Sequence, residues 1–286
     1  MEPLAAPAHR ISRRDLGGDL VGVALAAGAG TRLAPLSGLR PKALCPVGNR
    51  ALVDLALDRL GHVTPNMAVN AHHFADEVRR HIDQEWSGAV TVSTESGEAL
   101  GTAGALARLR PWINGRGTVV VNADSWSPTS LAPLVDGWDG RSIRVMVNGD
   151  GGFGPRARIV ASTLPWSVTK DLAEQPTGLY EVVWREAFAR GELEVVTHNG
   201  PFIDCGTPLD YLEANLAAAV IHGSAIVGPR AVIEDGVDIS GSVIGAGARI
   251  DADVVDSVVW PNQSVARGER LIRSIRAGTS VTVGPL

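Results

Sequence analysis

Val21-Gly22-Val23-Ala24-Leu25-Ala26-Ala27-Gly28-Ala29-Gly30-Thr31-Arg32-Leu33 is the stretch from which the rest of the chain can be read. Its aliphatic first part, Val21 to Ala26, predicts a strand, and the glycines follow that strand without a break. Glycines placed there let backbone N–H groups approach phosphate oxygens with no Cβ in the way. Arg32, and further on Pro41-Lys42-Ala43-Leu44, add the positive charge that a bound phosphate needs. A dinucleotide-binding loop would place a third glycine where Leu33 stands and open a helix at once, but Ala34-Pro35-Leu36-Ser37-Gly38 follows. Gly-Lys-Ser/Thr is absent too, so neither common nucleotide loop fits. A Gly-x-Gly of this kind is also compatible with a plain tight surface turn.

Outward from this stretch, short apolar runs alternate with segments of helical period, the pattern of βαβ units around an open, mostly parallel, Rossmann-like sheet. Strands are expected at Val21 to Ala26, Met67 to Asn70, Ala89 to Ser93, Thr118 to Val121, Ile143 to Val147 and Ile159 to Leu164. Helices are expected at Ala51 to Leu60, at Ala75 to Trp86 (with Val78, Ile82 and Trp86 on one face) and at Thr102 to Leu109. A later helix opens at Thr207-Pro208-Leu209-Asp210, with a capping hydroxyl, proline in the first turn and a carboxylate three residues on. After Gly223 the helical period stops. Aliphatics at Ile226, Val232, Ile244 and Ile250 recur between glycine corners, with slips of register at Asp238 and Asp256. Such short turns bury a core only by stacking, so a β-solenoid is expected. The division is then a tail over 1–18, an α/β domain over 19–221 and a solenoid over 222–286.

The 286 residues suffice for one large domain with a small appendage. At 45% hydrophobic and 20% charged, with 33 glycines and 17 prolines, the composition excludes disorder as the main state. A formal net charge of −5 gives no electrostatic grip on nucleic acid or an anionic membrane. Cys45 and Cys205 are too few for a disulfide scaffold and are expected to stay reduced. No run approaches the roughly 18 apolar residues of a membrane span. Met1 to Leu20 carries Glu2, Arg10, Arg13, Arg14 and Asp15 in place of an apolar signal core. These features predict a cytoplasmic protein with a flexible N-terminal tail and neither nucleic-acid nor membrane partners.

Leu25-Ala26-Ala27-Gly28-Ala29-Gly30-Thr31-Arg32-Leu33-Ala34-Pro35-Leu36, followed by Arg40-Pro41-Lys42-Ala43-Leu44-Cys45-Pro46-Val47, closely resembles the sugar-1-phosphate nucleotidyltransferases. The resemblance continues in order along the chain. Leu100-Gly101-Thr102-Ala103-Gly104-Ala105-Leu106 is similar to that family's base and ribose loop, Asn122-Ala123-Asp124 to its strand-end metal aspartate, and Ile203-Asp204-Cys205-Gly206-Thr207-Pro208 to its second aspartate segment. The resemblance implies the nucleotidyltransferase fold with a C-terminal left-handed β-helix of hexapeptide-like repeats. It further implies a nucleotide held by Leu25, Ala26, Ala27, Gly28, Ala29, Gly30, Thr31, Glu95, Gly101, Thr102 and Asn122. Arg32 and Lys42 would be catalytic, and Asp124 with Asp204 would hold Mg²⁺. The substrates implied are a nucleoside triphosphate and a sugar-1-phosphate, the products an NDP-sugar and pyrophosphate, and the assembly a homo-oligomer. Mannose-1-phosphate guanylyltransferases share the Leu-Gly-Thr-Ala-Gly string most closely.

The residues themselves support a phosphate site. Asp124 stands at the carboxyl end of an expected strand, where open α/β sheets bind ligands, and as a lone carboxylate it reads equally as a helix cap or a metal ligand. Two such carboxylates suit Mg²⁺, which takes oxygen ligands and shares them with substrate phosphates. A sugar-1-phosphate is already an ionised nucleophile, so the lack of a Ser/His/Asp or Cys/His arrangement is itself expected. Glu95 and Glu98 flank the base loop, and a carboxylate can accept from both guanine N1–H and its exocyclic amine, which favours GTP. His72 and His73 are adjacent and would point apart, against a shared metal.

Between the two aspartates the chain departs from the family. A Glu-Lys-Pro segment and an Asn-Ala-Gly turn are missing, and Asn148 to Arg158 stands in that region, with Arg156, Arg158 and Lys170 as the cations able to replace the missing lysine. The departure also suits an alternative, a catalytically weak homologue that binds a nucleotide sugar and regulates a partner. Intact Gly-Thr-Arg, Pro-Lys and both aspartates favour activity. Acyltransfer on the solenoid is disfavoured, because the chain beyond His222 has neither histidine nor lysine.

Overall fold

Val21, Val23 and Ala24 are fully buried along the strand β1, Leu20–Leu25, and a strand shielded on both faces belongs in the middle of a sheet. The computed structural model describes residues 20–282, and places β1 there; the flexible tail expected over 1–18 lies outside the described residues. The remaining strands are β2 Met67–Ala71, β3 Val90–Thr94, β4 Gly117–Asn122, β5 Ile143–Asn148, β6 Ile159–Leu164 and β7 Leu193–His198. They form one seven-stranded sheet in the order β7-β5-β6-β4-β1-β2-β3. All neighbours are parallel except β6, which runs antiparallel between β4 and β5.

The chain leaves β1 toward β2 and β3 and then returns to β1's other side as β4, so the order reverses between β1 and β4. Their carboxyl ends lie side by side, with Leu25 in register with Asn122 and the Ala123 amide bonded to the Leu25 carbonyl at 2.9 Å. Such a reversal opens a crevice beyond the strand ends.

Helices α1 Leu52–Gly61, α2 Ala75–Trp86, α3 Gly101–Arg108 and α4 Pro208–His222 match the apolar periodicity of their segments. Val78 and Ile82 are fully buried on α2. Thr207 and Asp210 form a reciprocal capping box at the start of α4, and Gly223 ends it at φ 109°. Strand β7 is a correction to the expected set. Its alternation is blurred because Glu194, Val195 and Thr197 face solvent, and as an edge strand it pairs only with β5. A helical segment over Tyr180–Trp184 and Arg185–Ala189 is likewise an addition.

Beyond Gly223 short parallel strands stack in three small sheets. Ile226–Val227, Val243–Ile244, Val258–Val259 and Ser274–Ala277 form one series, Val232–Ile233, Arg249–Ile250 and Ser264–Val265 another, and Val254–Val255 with Leu271–Ile272 a third. Ile244, Ala248, Ile250, Val254, Val259 and Val265 fill the space they enclose, an arrangement compatible with a β-helix. Asp256, where the register slips, turns at φ 46°.

A continuous apolar cluster joins this stack to the sheet domain, with Leu33, Leu36, Val47 and Leu52 meeting Tyr211, Val258, Trp260 and Ile275. At its centre the Tyr211 hydroxyl donates to the Pro46 carbonyl and accepts from Trp260 Nε1 at 2.9 Å. Replacing Tyr211 by Phe leaves two buried polar groups without a partner, at a cost of about 1–3 kcal/mol. The Tyr211→Phe protein is therefore expected to unfold at a lower urea concentration, and an unchanged midpoint would show that this hydroxyl holds nothing together.

Candidate active site

The loop after β1 has the construction of an anion cradle. Gly30 adopts φ 63° and the short turn Thr31–Leu33 follows it. Among the described residues, the amides of Ala27, Gly28, Ala29 and Gly30 bond to no protein acceptor, whereas the Ala26 amide donates to Asn70 Oδ1 at 2.8 Å. Consecutive unpaired amides around a left-handed residue form an anion-binding concavity. No protein atom lies within 4 Å of the place where a Cβ would stand on Gly28, so the bareness of that residue serves no internal packing.

Lys42 meets both aspartates, and Arg32 meets Asp204. Asp124 follows β4, and the strand pair Ser125–Trp126 and Ile203–Asp204 runs antiparallel with Asp204 in register with Ser125. That bridge brings the two carboxylates to one ammonium: Lys42 Nζ lies 2.8 Å from Asp124 Oδ2 and 3.4 Å from Asp204 Oδ1. The Lys42 side chain is only 6% exposed, while those of Asp124 and Asp204 are 41% and 51% exposed. Burial alone would lower the pKa of Lys42, but the two carboxylates outweigh it and hold the ammonium above its ordinary value. Arg32 reaches over from the solvent side, its guanidinium 3.8 Å from Asp204 Oδ2, and bare Gly206 gives it room. Cys205, between these groups, is buried, and burial raises its thiol pKa, so it is an inert packing residue.

The residues expected to contact the base also make contacts within the protein. Glu95 is 4% exposed, and its two oxygens accept from Asn70 Nδ2 at 2.7 Å and from the Leu100 amide at 2.9 Å. Each oxygen has a donor inside the protein, so Glu95 braces this part of the structure. Through Asn70 it links the loop at Leu100 to the cradle at Ala26. Glu98 remains exposed. A Cβ on Gly101 would stand 2.6 Å from the Thr177 carbonyl, and Thr102 Oγ1 accepts from the Leu179 amide at 2.7 Å. These two residues therefore seat the segment over Thr177 to Leu179, and Thr102 also faces a cavity. Asn70 is the site residue that the linear pattern most understates. Its only signal is a polar side chain at the tip of an otherwise apolar strand.

That cavity, of about 450 Å³, opens beside the aspartates and is lined by Asn122, Asp124 and Asp204 together with Arg158, Tyr180 and Glu181. His72 Nε2 lies 2.8 Å from the Gly97 carbonyl and His73 packs on Phe74, so these histidines share no site. Among the described residues no group of three or more His, Cys, Asp and Glu side chains converges, and no helix is long and apolar enough to cross a membrane.

The family described as Nucleotidyl transferase matches residues 21–147, the span containing the cradle, Lys42 and Asp124. Over that span the chain is similar to nucleotidyl transferases. It is 39% identical over 110 residues to N-acetylmuramate alpha-1-phosphate uridylyltransferase of Caulobacter vibrioides, a match covering 37% of this chain and 46% of that protein. It thus spans less than half the length of that transferase. A longer match, at 25% identity over 91% of each chain, is to "Probable mannose-1-phosphate guanylyltransferase 3" of Oryza sativa subsp. japonica. The crystal structure of HddC from Yersinia pseudotuberculosis complexed with GMP-PN shares the fold, at a TM-score of 0.56 and 20% identity over 69% of this chain and 98% of that one.

If Glu95 braces the cradle from behind, its loss is felt in stability. Glu95→Ala is expected to cost about 1–3 kcal/mol by leaving Asn70 and the Leu100 amide unpaired, whereas Glu98→Ala stays within about 0.5 kcal/mol. Denaturant titration of the two variants compares them, and equal effects would remove the distinction.

Proposed function

We propose that this protein transfers a nucleoside monophosphate from a nucleoside triphosphate to a sugar-1-phosphate, giving an NDP-sugar and pyrophosphate. The observation that supports this most strongly is the Lys42 ammonium between Asp124 and Asp204, at the crevice beside a loop of unpaired amides. A phosphate oxygen of the sugar-1-phosphate forms a bond to the α-phosphorus. The bond from that phosphorus to the bridging oxygen breaks, and its electron pair leaves with pyrophosphate. The nucleophile is already anionic, so no general base is required. The work left to the protein is alignment and neutralisation of charge. The amides of Ala27 to Gly30 cradle the outer phosphates, Arg32 stabilises the departing pyrophosphate, and Lys42 lies against the reacting phosphates.

The donor set fits Mg²⁺. Asp124 and Asp204 present hard oxygen ligands from a half-exposed position. Mg²⁺ commonly takes one or two protein carboxylates and completes its shell with water and substrate phosphates. When bound by Asp124 and Asp204, the ion would supply neutralisation of phosphate charge.

GTP is the favoured triphosphate in this reading. Exposed Glu98, in place of buried Glu95, is the carboxylate left beside the base loop to accept from guanine. UTP is the second reading, favoured by the 39% identity to a uridylyltransferase over 110 residues. Residues 19–221 form the transferase unit in this proposal, and residues 222–286 a left-handed β-helix of hexapeptide-like repeats.

Pyrophosphate release measured with GTP, UTP, dTTP, ATP and CTP, Mg²⁺ and a set of hexose-1-phosphates tests the proposal directly. Release by the wild type with GTP, and a roughly 100- to 1,000-fold lower kcat for Lys42→Ala, are the expected results. Release only with UTP would move the base assignment. Nucleotide-dependent stabilisation without any release would favour the weak, regulatory homologue.

A further inference from the structure

The acceptor of the proposed reaction brings a doubly charged phosphate to a crevice whose side chains are largely acidic or apolar. Among the described residues, Arg158 is the only cation that lines the cavity adjoining Asp124 and Asp204. Of the three cations in the stretch between the aspartates that could meet a phosphate, Arg156 and Lys170 do not line it. Arg158 owes its position to topology. It immediately precedes β6, the one strand of the sheet that runs antiparallel to its neighbours, so the start of β6 lies at the edge where the parallel strands end. Its backbone carbonyl accepts from the Asn148 amide at 2.9 Å at the end of β5, which fixes the entry to the strand.

Its side chain is held in place yet left with unused charge. Arg158 Nη2 donates to the carbonyl of Phe202, and the guanidinium lies 5.4 Å from the centroid of the Phe202 ring. Phe202 leads directly into Ile203–Asp204, so the contact anchors Arg158 to the strand that carries the second aspartate. Among the described residues no carboxylate pairs with Arg158, in contrast to Lys42 and Arg32. A guanidinium oriented by a carbonyl and an aromatic face retains further N–H donors for a phosphate, in a planar fork that a lysine does not reproduce.

We propose that Arg158 is the residue that binds the phosphate of the sugar-1-phosphate acceptor. This inference rests on the transferase reading above and deepens it. Arg158 holds the acceptor phosphate from the cavity side, while the nucleotide phosphates lie on the cradle and Arg32. Its contribution is therefore to acceptor affinity, with little effect on nucleotide binding.

The test uses the full chain, with mannose-1-phosphate, glucose-1-phosphate and N-acetylglucosamine-1-phosphate as acceptor probes. Arg158→Ala is expected to raise KM for the acceptor roughly 10- to 100-fold, the weight of hydrogen bonds to a charged group, with KM for the triphosphate unchanged within about twofold. Arg158→Lys should recover part of the loss and Arg158→Gln none. In thermal shift, stabilisation by the acceptor alone should fall for Arg158→Ala while stabilisation by the triphosphate persists, which separates a binding role from damage to the fold. If wild-type turnover is present and Arg158→Ala leaves the acceptor KM unchanged, or raises both KM values equally, the assignment of Arg158 fails by itself. If the wild type neither turns over nor is stabilised by any of the acceptors, the transferase reading fails with it.

Discussion

The Lys42 ammonium shared by Asp124 and Asp204 is the constraint on which the site depends. Two carboxylates brought so close repel each other, and a buried ammonium alone is poorly solvated. Together they are mutually stabilising, and the result is visible in the raised pKa of Lys42 despite its burial. Lys42 therefore stays protonated throughout the neutral range. Because the pKa is raised relative to the unfolded chain, the associated stability is present at neutral pH and is lost only as pH climbs through the native value. Working pH thus leaves intact the charge that an anionic substrate would meet.

The groups around this ammonium come from four separated parts of the chain, and backbone pairing unites them. β1 and β4 in register set the cradle beside Asp124, and the two-residue bridge to Ile203–Asp204 adds the second carboxylate. The Asn70–Glu95 relay then fastens the cradle to the loop at Leu100. Buried donors and acceptors that satisfy one another favour a single loop geometry, since misplacing any member strands another polar group. Such rigidity suits a site whose task is alignment of phosphates.

Much of this was legible in the linear chain, for a physical reason. The strands around β1 are buried on both faces, so their apolar runs are uninterrupted and readable, and the helices carry a clear apolar face. β7 was not legible, because an edge strand facing solvent loses its alternation, as Glu194 and Thr197 show. Arg32, Lys42, Asp124 and Asp204 could be nominated from residue type and position, but their meeting depends on register across 162 residues between Lys42 and Asp204. Glu95 shows the limit in the other direction. Charge beside a loop suggested a ligand contact, and nothing in the linear chain signalled that the side chain is buried with a protein donor on each oxygen. For Arg158, three candidate cations were equivalent in the sequence until the reversed direction of β6 put one of them at the ligand edge.

The C-terminal stack also bears on the site through the loop that holds Lys42. That residue opens the short turn Lys42–Leu44, and the chain continues through Cys45 into Pro46–Val47. Pro46 accepts from Tyr211, whose hydroxyl is bonded to Trp260; the Gly48 amide donates to Asn215 Oδ1 at 3.1 Å, and Asn49 Nδ2 donates to the Ile244 carbonyl at 2.7 Å. Arg40, just before the same turn, lies 5.0 Å from the Trp260 ring centroid. Both flanks of the Lys42 turn are therefore fixed by helix α4 or by the short parallel strands beyond it. Surface loops ordinarily move more than the elements they connect. Here the stacked tail makes the lysine loop part of a packed interior, so a region without a single catalytic candidate contributes to the placement of the one ammonium that both aspartates share.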